Sequence, residues 1–421
     1  MTTSPRRRSP RPTQTLRERR HDIELTNRVT FDSFVPDSDL ADVTFRPLAM
    51  ASATADLIVF GMLSSLFGPL LVTFAQRFHI SLPDAGVVLS VYFVGAFCGV
   101  PLGWYTIKHL SGNVVLTLTL LTMAVGACGA ALSPHWYGFL ASIYLMGVGF
   151  GGVDFSLITL LVRTRLDGRA RRLSVSNAGY GLGAVIGPVL IVLVHPNNYR
   201  YLLGVIALAA VVLTLGNSGI IAPPMRDAPQ RDTNEVSTRR RRRILGTFIA
   251  AYILYVAAET TTAGWIAPQL HRGGLSASLA SDITAGFWLG LAIGRVLAGP
   301  AGRHQSERRL VLGGLALAAA LCGGAYVTGA APYLYPLVGF GLALVYPMGL
   351  IWYTALIPHD GDGLALLILC MMAGGVIGPA IESLMVSSFG IRVVPLVLSA
   401  FAVACLGVFA SALRFPFLRS T

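Results

Sequence analysis

Three acidic residues inside apolar stretches are the first candidates for chemistry in this sequence. Glu259 lies in "YVAAETTTAGW", Asp154 ends "GFGGVD", and Glu382 lies in "IGPAIESLM". An unpaired carboxylate in hydrocarbon costs at least about 2.5 kcal/mol, so such residues usually face a cavity or a partner and mark a path for solute or protons. We therefore predict that these three acids bind solute or protons. The alternative for Glu259 is a structural role, in which hydrogen bonds or permanent protonation fix the packing of helices. Asp154 could instead pair with a helix-end arginine such as Arg163, and Glu382 lies nearer the outer end, where an acid can reach water.

Polar and aromatic residues near these acids could complete a binding site. Tyr255 lies at helical spacing from Glu259 and offers a ring for stacking with a polar tip. Asn177 and Tyr180 precede "GLGAVIGP"; they could contact solute, or they could form hydrogen bonds between helices. We expect Arg295, in "GRVLAG", to fix the interface between helices rather than to contact solute.

A further acid and two glycine–proline pairs are assigned other roles. Asp56 comes early in the first apolar stretch, and we expect it near the start of a helix, where the helix dipole favours an acid. We predict that Gly183 with Pro188, and Gly374 with Pro379, allow close packing and a bend. Such bends would serve a rocking movement between two halves of the molecule.

The sequence contains no motif that predicts an enzyme, a metal site or a cofactor. HExxH, GxSxG and P-loop patterns are absent, and the five cysteines lack CxxC spacing. "GVGFGG" formally fits GxGxxG, but the strand and the βαβ unit that a dinucleotide site requires are not predicted here. Its small residues are better explained by close approach of helices.

The composition predicts an all-α membrane protein. Of 421 residues, 54% are hydrophobic and 12% are charged, about half the charged share of a soluble domain. About twelve apolar windows are long enough to cross roughly 30 Å of hydrocarbon. They are 48–76, 83–107, 113–133, 136–163, 173–195, 199–221, 245–268, 277–300, 309–330, 332–357, 363–387 and 391–413.

Arginine positions predict the orientation in the membrane. The connections "RTRLDGRARR", "STRRRRR" and "GRHQSERR" are strongly basic, whereas the alternate connections are nearly uncharged. Because basic segments stay on the cytoplasmic side, we expect a multi-pass protein of the plasma membrane with both termini in the cytoplasm. This rule also accounts for the net charge of +12, so we predict contact with lipid headgroups and no binding of nucleic acid.

Repeated motifs predict two homologous halves. "GAVIGP" (183–188) recurs as "GGVIGP" (374–379), and "YFVGAFCG" (92–99) is matched by "FWLGLAIG" (287–294). Both pairs are offset by about 190 residues, as expected for two parallel six-helix units. The predicted domains are a disordered cytoplasmic tail (1–46), an N-terminal six-helix bundle (47–221), a basic cytoplasmic linker (222–244), a C-terminal six-helix bundle (245–413) and a cytoplasmic tail (414–421).

Two six-helix halves joined by a basic loop resemble the major facilitator superfamily. The superfamily's signature loop after the second helix, a glycine followed by an aspartate and basic residues, is degraded here to "GWYTIKHLSG". Ile107 stands where that aspartate would be. "YVAAETTTAGWIAPQL" and "FWLGLAIGRVLAG" are similar to the fucose permease-like branch, the fucose–galactose–proton symporters.

The resemblance to this branch implies roles for individual residues. Its fourth-helix acid, which takes part in sugar binding and coupling, matches Asp154, and its fifth-helix amide matches Asn177. Its first-helix proton carrier, an aspartate beside a proline, falls on Gly68 before Pro69, so that carrier is missing here. A monomer is what the resemblance implies for the oligomeric state.

We therefore predict a secondary active transporter that moves a small polar solute such as a sugar by alternating access. Asp154 and Glu259, from opposite halves, would face one central cavity, and protonation of one or both would couple proton movement to transport. Two alternatives remain open: a proton-driven antiporter that exports a drug or metabolite, and a receptor of the same fold that binds a solute without moving it.

Overall fold

The computed structural model describes residues 43–162, 169–225, 237–327, 329–357 and 360–415, which form twelve helical rods. Ten of these rods are long and apolar enough to cross a membrane. The predicted all-α membrane architecture of about twelve helices is therefore confirmed. The rods are α1 (Pro47–Phe78), α2 (Leu82–His109), α3 (Gly112–Leu132), α4 (Trp136–Val162), α5 (Arg169–Val194), α6 (Tyr199–Asn217), α7 (Thr238–Arg272), α8 (Ala277–His304), α9 (Glu307–Gly324), α10a (Ala331–Ala343) with α10b (Val345–Leu356), α11 (Gly361–Phe389) and α12 (Val394–Ala412).

The tenth rod is broken at Leu344, between α10a and α10b. Pro347 follows in the first turn of α10b. Proline has no N–H to donate and its ring clashes with the carbonyl four residues earlier, here that of Ala343, so the regular helix cannot continue through this point. Nearby, the hydroxyl of Tyr252 in α7 donates a hydrogen bond to the carbonyl of Tyr346 at 2.7 Å.

The rods form two bundles, α1–α6 (the first bundle) and α7–α12 (the second bundle), that repeat the same packing. In each bundle the first helix packs against the fifth, the second against the fourth, and the third against the sixth. A Cβ placed on Gly183 of α5 would overlap the carbonyl of Ile58 in α1, and one on Gly374 of α11 would overlap the carbonyl of Ile253 in α7. The repeated "IGP" motifs thus make equivalent backbone contacts, which agrees with two pseudo-symmetric bundles.

The second pair of repeated motifs, "YFVGAFCG" and "FWLGLAIG", also makes equivalent helix contacts in the two bundles. Gly95 and Gly99 of α2 lie against the backbone of α4, and Gly290 and Gly294 of α8 lie against α10a. A side chain larger than hydrogen at these points would meet a carbonyl or a backbone nitrogen of the neighbouring helix. Small residues therefore set the helix separation in both bundles, as is usual in membranes.

The bundles meet through α2 with α11, α5 with α8, and α1 with α7. We call the side of the molecule on which α1 begins the terminal side, and the opposite side the distal side. At the distal start of α2, Gly86 lies against Trp265 and Ser383 of the second bundle. Further along, Ser90 Oγ donates a hydrogen bond to the carbonyl of Val376 at 3.0 Å. These contacts join the two bundles on the distal side.

A short strap covers the terminal side of the first bundle. Strand β1 (Thr44–Phe45) pairs with strand β2 (Ile220–Ile221) in antiparallel register. Next to β2, Gly112 N donates to the Ala222 carbonyl at 2.9 Å, and Met225 N donates to the Ile107 carbonyl at 2.8 Å. The segment 219–225 thereby joins the ends of α1, α2 and α3.

Two predicted boundaries need correction. Residues 44–45 were placed in a disordered tail, but backbone hydrogen bonds to β2 order them. The linker predicted over 222–244 is shorter at both ends, because its start belongs to the strap and α7 begins at Thr238. Arginine is a good helix former, so the run 239–243 extends the helix. The rest of the tail (1–42), the centre of the linker (226–236) and residues 416–421 lie outside the described residues.

Asp360 ties the ends of three helices together on the terminal side. It caps α11 by accepting a hydrogen bond from Gly363 N at 3.0 Å. It also accepts hydrogen bonds from Arg241 of α7 at 2.8 and 3.1 Å, and from the Tyr353 hydroxyl of α10b at 2.6 Å. Burial raises the pKa of Asp360, but these hydrogen bonds lower it by more, so the pKa lies below its ordinary value.

The glycine contacts predict the effect of adding one methyl group. Gly183→Ala should lower stability by about 1–3 kcal/mol, because its Cβ overlaps a backbone carbonyl that cannot move away easily. Gly204→Ala is the matched control: it lies in the same bundle with nothing within 4 Å of its Cβ, so helix propensity should raise stability slightly. Thermal unfolding in detergent measures both. Equal midpoints for the two variants would contradict the packing described here.

The Asp360 network predicts a dependence of stability on pH. Because its folded pKa is lowered, the stabilisation it gives is present above its unfolded pKa of about 3.9 and is lost as the pH falls through the folded value. Asp360→Asn should therefore be less stable than wild type at neutral pH, and the difference should shrink below about pH 4. The exposed residue Asp282 provides a control, since Asp282→Asn should differ little from wild type at either pH. A pH-independent difference for Asp360→Asn would exclude this account.

Candidate functional site

Glu259 lies on the inner face of α7 with little exposure, its side chain being 12% accessible. Tyr255 precedes it by one helical turn, which places both residues on the same face of the helix. The Tyr255 hydroxyl donates a hydrogen bond to the Glu259 carboxylate. One end of the carboxylate is thus already satisfied within α7.

The charge of Glu259 is compensated by Arg295 of the neighbouring helix α8. Arg295 Nη2 lies 3.3 and 3.4 Å from the two carboxylate oxygens, and 3.4 Å from the Tyr255 hydroxyl. The guanidinium group also lies over the ring of Tyr346 in α10b, 5.8 Å from its centroid, a cation–π arrangement. We call Tyr255, Glu259, Arg295 and Tyr346 the charged cluster; it joins α7, α8 and α10b inside the second bundle.

Asp154 enters from α4 of the first bundle. It is half-buried, and among the described residues no side chain donates a hydrogen bond to it. The phenols of Tyr180 and Tyr346 each lie within electrostatic range of both Asp154 and Glu259. The two acids, one from each bundle, therefore lie near the same two phenols.

Aromatic rings of the first bundle cluster around Tyr180. The ring of Tyr180 in α5 lies 5.6 Å from that of Phe60 in α1, and Phe60 stacks on Phe150 of α4 at 3.5 Å. Tyr180 also meets the edge of Trp288 in α8 at 6.3 Å, a contact that crosses between the bundles. A solute between the bundles would thus find flat apolar faces beside the charged cluster.

Several buried donors near Asp154 and Tyr180 have no hydrogen-bond partner in the described part of the chain. Arg295 Nε, Trp288 Nε1 and the Tyr92 hydroxyl make no hydrogen bond with the described residues. Tyr92 lies within electrostatic range of Asp154, and Trp288 contacts Tyr180. Buried donors without partners are rare in proteins, because each costs about 1–3 kcal/mol. They are suited to a ligand that brings acceptors.

The remaining predicted site residues lie elsewhere. Glu382 of α11 is fully buried, and neither carboxylate oxygen has a partner among the described residues. Its electrostatic neighbours are Tyr335 and Cys322 inside the second bundle, so it is separate from the charged cluster. Asn177 belongs to α5, but its side chain lies outside the described residues. Pro188 in α5 and Pro379 in α11 follow the glycine contacts with α1 and α7.

Sequence reasoning missed the partners of Glu259 and misplaced Asp56. The sequence predicted that Arg295 lies at a helix interface, but it did not identify Glu259 as the residue across that interface. Tyr346 was not selected as a site residue. The pattern that could have indicated it is a tyrosine directly before a proline inside an apolar helix. Asp56 was expected at a helix start, but it lies about two and a half turns into α1 and is buried. The helix dipole acts only within the first turn, so it cannot account for this acid. The Asp56 carboxylate instead accepts a hydrogen bond from Asn217.

The described residues contain no group of three or more His, Cys, Asp or Glu side chains that could hold a metal ion. The charged cluster holds one carboxylate and one guanidinium, and Asp154 adds a second carboxylate. Such a set can bind hydroxyl groups and protons. It has no obvious arrangement for nucleophilic catalysis.

Comparison with known proteins adds the family. A model described as the Major Facilitator Superfamily matches residues 57–273. The glucose/mannose transporter of Bacillus subtilis is 24% identical over 265 residues, 60% of this chain and 65% of that protein, a little under two thirds of its length. The cyanate transport protein of Escherichia coli is 27% identical over 294 residues, 68% of this chain and 75% of that protein. A D-xylose-proton symporter shares the fold, with a TM-score of 0.70 at 13% identity over 90% of this chain and 100% of the symporter.

The charged cluster predicts coupling between its two charges. Arg295→Gln should lower stability by about 2 kcal/mol, between the values for exposed and buried pairs, because it leaves Glu259 without its cation. The double variant Arg295→Gln with Glu259→Gln should regain part of this loss, since no lone charge then remains. Thermal unfolding of the wild type, both single variants and the double variant gives the coupling energy. Additive effects would show that the two side chains do not interact.

Proposed function

This chain belongs to the Major Facilitator Superfamily, and we propose that it is a secondary active transporter that moves a small polar solute of the sugar class, coupled to protons. The observation that carries the proposal is the pair of acids from opposite bundles, Asp154 and Glu259, which lie near the same two phenols, Tyr180 and Tyr346. The assignment to the fucose permease-like branch remains a prediction from the sequence.

The chemistry around Asp154 and Glu259 favours a neutral solute with several hydroxyl groups. A hydroxyl group both donates and accepts, so it can use the Asp154 carboxylate as well as the unpartnered donors Arg295 Nε and Trp288 Nε1. The ring faces of Tyr180 and Tyr346 supply flat apolar surface for the C–H side of a sugar ring. The names of the glucose/mannose relative and of the D-xylose-proton symporter are in line with this class.

An anionic solute such as the one named for the cyanate relative fits less well. Arg295 is already paired with Glu259, and Asp154 adds a further negative charge. The two carboxylates and one guanidinium together carry a charge of −1 when ionised. An anion would therefore meet net repulsion unless a proton bound first.

Asp154 is the better proton carrier of the two acids. The charge of Glu259 is already compensated by Arg295 and by the Tyr255 hydroxyl. Asp154 has no such partner among the described residues, so proton binding relieves the cost of its charge at membrane depth. Proton binding at Asp154 would also remove the net charge of this set of side chains and so favour a neutral solute beside it.

Alternating access follows from the packing of the bundles. The bundles touch on the distal side at Gly86 and Ser90, while the glycine contacts inside each bundle keep it together as a unit. If the basic segments mark the cytoplasmic side, the terminal side is cytoplasmic and the arrangement is closed to the outside. Transport then requires the bundles to part on the distal side and to close on the terminal side. We place the protein in the plasma membrane with both termini in the cytoplasm.

Transport by purified protein in liposomes tests the proposal. An imposed pH gradient should drive accumulation of one or more of a panel of labelled monosaccharides that includes glucose and mannose. Asp154→Asn should abolish gradient-driven accumulation but retain exchange of the same sugar across the membrane without a gradient, because the solute contacts remain. Asp154→Asn with Glu259→Gln should lose both.

The control is Asp282→Asn, which changes an exposed acid and should transport like wild type. Reversing the direction of the pH gradient shows whether the protein takes up or exports the solute. Full gradient-driven accumulation by Asp154→Asn would remove this residue from coupling. Failure of every monosaccharide in both directions would contradict the sugar class.

A further inference from the structure

Asp56 of α1 and Asn217 of α6 form a buried polar pair away from the candidate site. Asp56 is 1% exposed and Asn217 is fully buried. Asn217 Nδ2 donates a hydrogen bond to Asp56 Oδ2 at 2.9 Å. The other oxygen of each side chain, Asp56 Oδ1 and Asn217 Oδ1, is buried and has no hydrogen-bond partner among the described residues.

If Asp56 is ionised, Asp56 Oδ1 and Asn217 Oδ1 can both only accept a hydrogen bond. The pair therefore lacks a hydrogen-bond donor between these two oxygens. A buried acceptor without a donor costs about 1–3 kcal/mol, and a buried carboxylate costs more. Rotating the Asn217 amide does not help, since its oxygen would then face a carboxylate oxygen. One proton on Asp56 changes this, because the carboxyl group then offers a donor and an acceptor to an amide that offers the same.

No cation compensates Asp56 within the described residues. On its own helix, Arg46 lies ten residues earlier, about 15 Å along the axis. On α6, Arg200 stands at the opposite end from Asn217. The strands β1 and β2 and the described side chains of α5, residues 178–194, carry no charged group. In the part of the chain that the structure describes, the side chain that forms a hydrogen bond with Asp56 is that of Asn217.

We propose that Asp56 is a second proton-binding site, separate from the space between the bundles, and that its proton closes the contact of α1 with α6. Two further contacts tie the same helices on the terminal side. Ser52 Oγ, one turn before Asp56, donates to the Leu213 carbonyl, one turn before Asn217, at 3.1 Å. The β1–β2 pair joins the chain before α1 to the chain after α6. Loss of the proton places a lone charge inside this joint and loosens it.

The proton on Asp56 can be observed directly by infrared spectroscopy of the full chain in lipid nanodiscs. Labelling the protein with carboxyl-¹³C aspartate shifts the aspartate C=O bands to lower frequency and so separates them from the band of Glu382. At neutral pH the wild type should show the C=O band of a protonated aspartate side chain. This band should be absent from Asp56→Asn and present in Asp154→Asn. The same band should disappear on titration to alkaline pH in labelled wild type. An ionised Asp56 at neutral pH would overturn the proposal.

Stability gives a second measurement that does not depend on transport. The unfolding midpoint of the wild type should fall as the pH is raised above about 4 and should level off once Asp56 ionises in the folded state, because the unfolded acid releases its proton at a lower pH than the folded one. Asp56→Asn mimics the protonated acid, so its unfolding midpoint should not show this part of the pH dependence. Asp84→Asn changes an exposed acid and should show the same pH dependence as the wild type. An equal pH dependence in wild type and Asp56→Asn would contradict the proposal.

A small cation such as sodium could supply the missing charge in place of a proton. Exchanging choline chloride for sodium chloride at constant ionic strength distinguishes the two. With a proton at the site, the midpoint and the infrared band should be the same in both salts. Stabilisation by sodium that Asp56→Asn abolishes, together with loss of the band in sodium, would assign a metal cation and overturn the proton. Failure of sugar transport leaves all these readings unaffected.

Discussion

The contact between Glu259 and Arg295 organises the centre of the second bundle. Both residues lie at membrane depth, where an ionised side chain without a partner costs at least about 2.5 kcal/mol. Their pairing removes much of this cost and joins α7 to α8, and the rings of Tyr255 and Tyr346 cover the two charges. Asp154 has no corresponding partner in the described part of the first bundle. The balance of charge between the bundles therefore changes whenever a proton binds there.

Backbone contacts hold the charged helices at fixed depth. Gly183 and Gly374 bring α5 and α11 against the carbonyls of α1 and α7, and equivalent glycines bring α2 and α8 against α4 and α10a. In a membrane, lipid is as apolar as leucine, so close packing rather than hydrophobic burial favours association of helices. The same contacts recur in both bundles, with α2 against α4 in the first and α11 against α7 in the second, so close backbone packing holds the helices that carry Asp154 and Glu259.

The sequence determines these parts to different degrees. The twelve rods could be predicted, because each apolar stretch has the length that hydrocarbon requires and the glycine motifs recur at one offset. The partner of Glu259 could not, since Arg295 is 36 residues away on an antiparallel helix and its depth depends on where both helices begin. The assignment of Asp56 to a helix start was wrong because the helix begins at Pro47, nine residues earlier, and the helix dipole acts only within the first turn. The pairing of 44–45 with 220–221 joins distant segments, and no local pattern records it.

The break at Leu344 makes the two bundles unequal in bending stiffness. In the first bundle, the corresponding rod α4 runs without interruption from Trp136 to Val162. In the second, α10a and α10b are joined by a single residue, and Tyr346, two residues further on, covers Arg295. The residue that covers Arg295 therefore lies next to a break in its own helix, and the fourth helix of the first bundle has no such break. A bend at Leu344 would change the position of the Tyr346 ring relative to the paired charges.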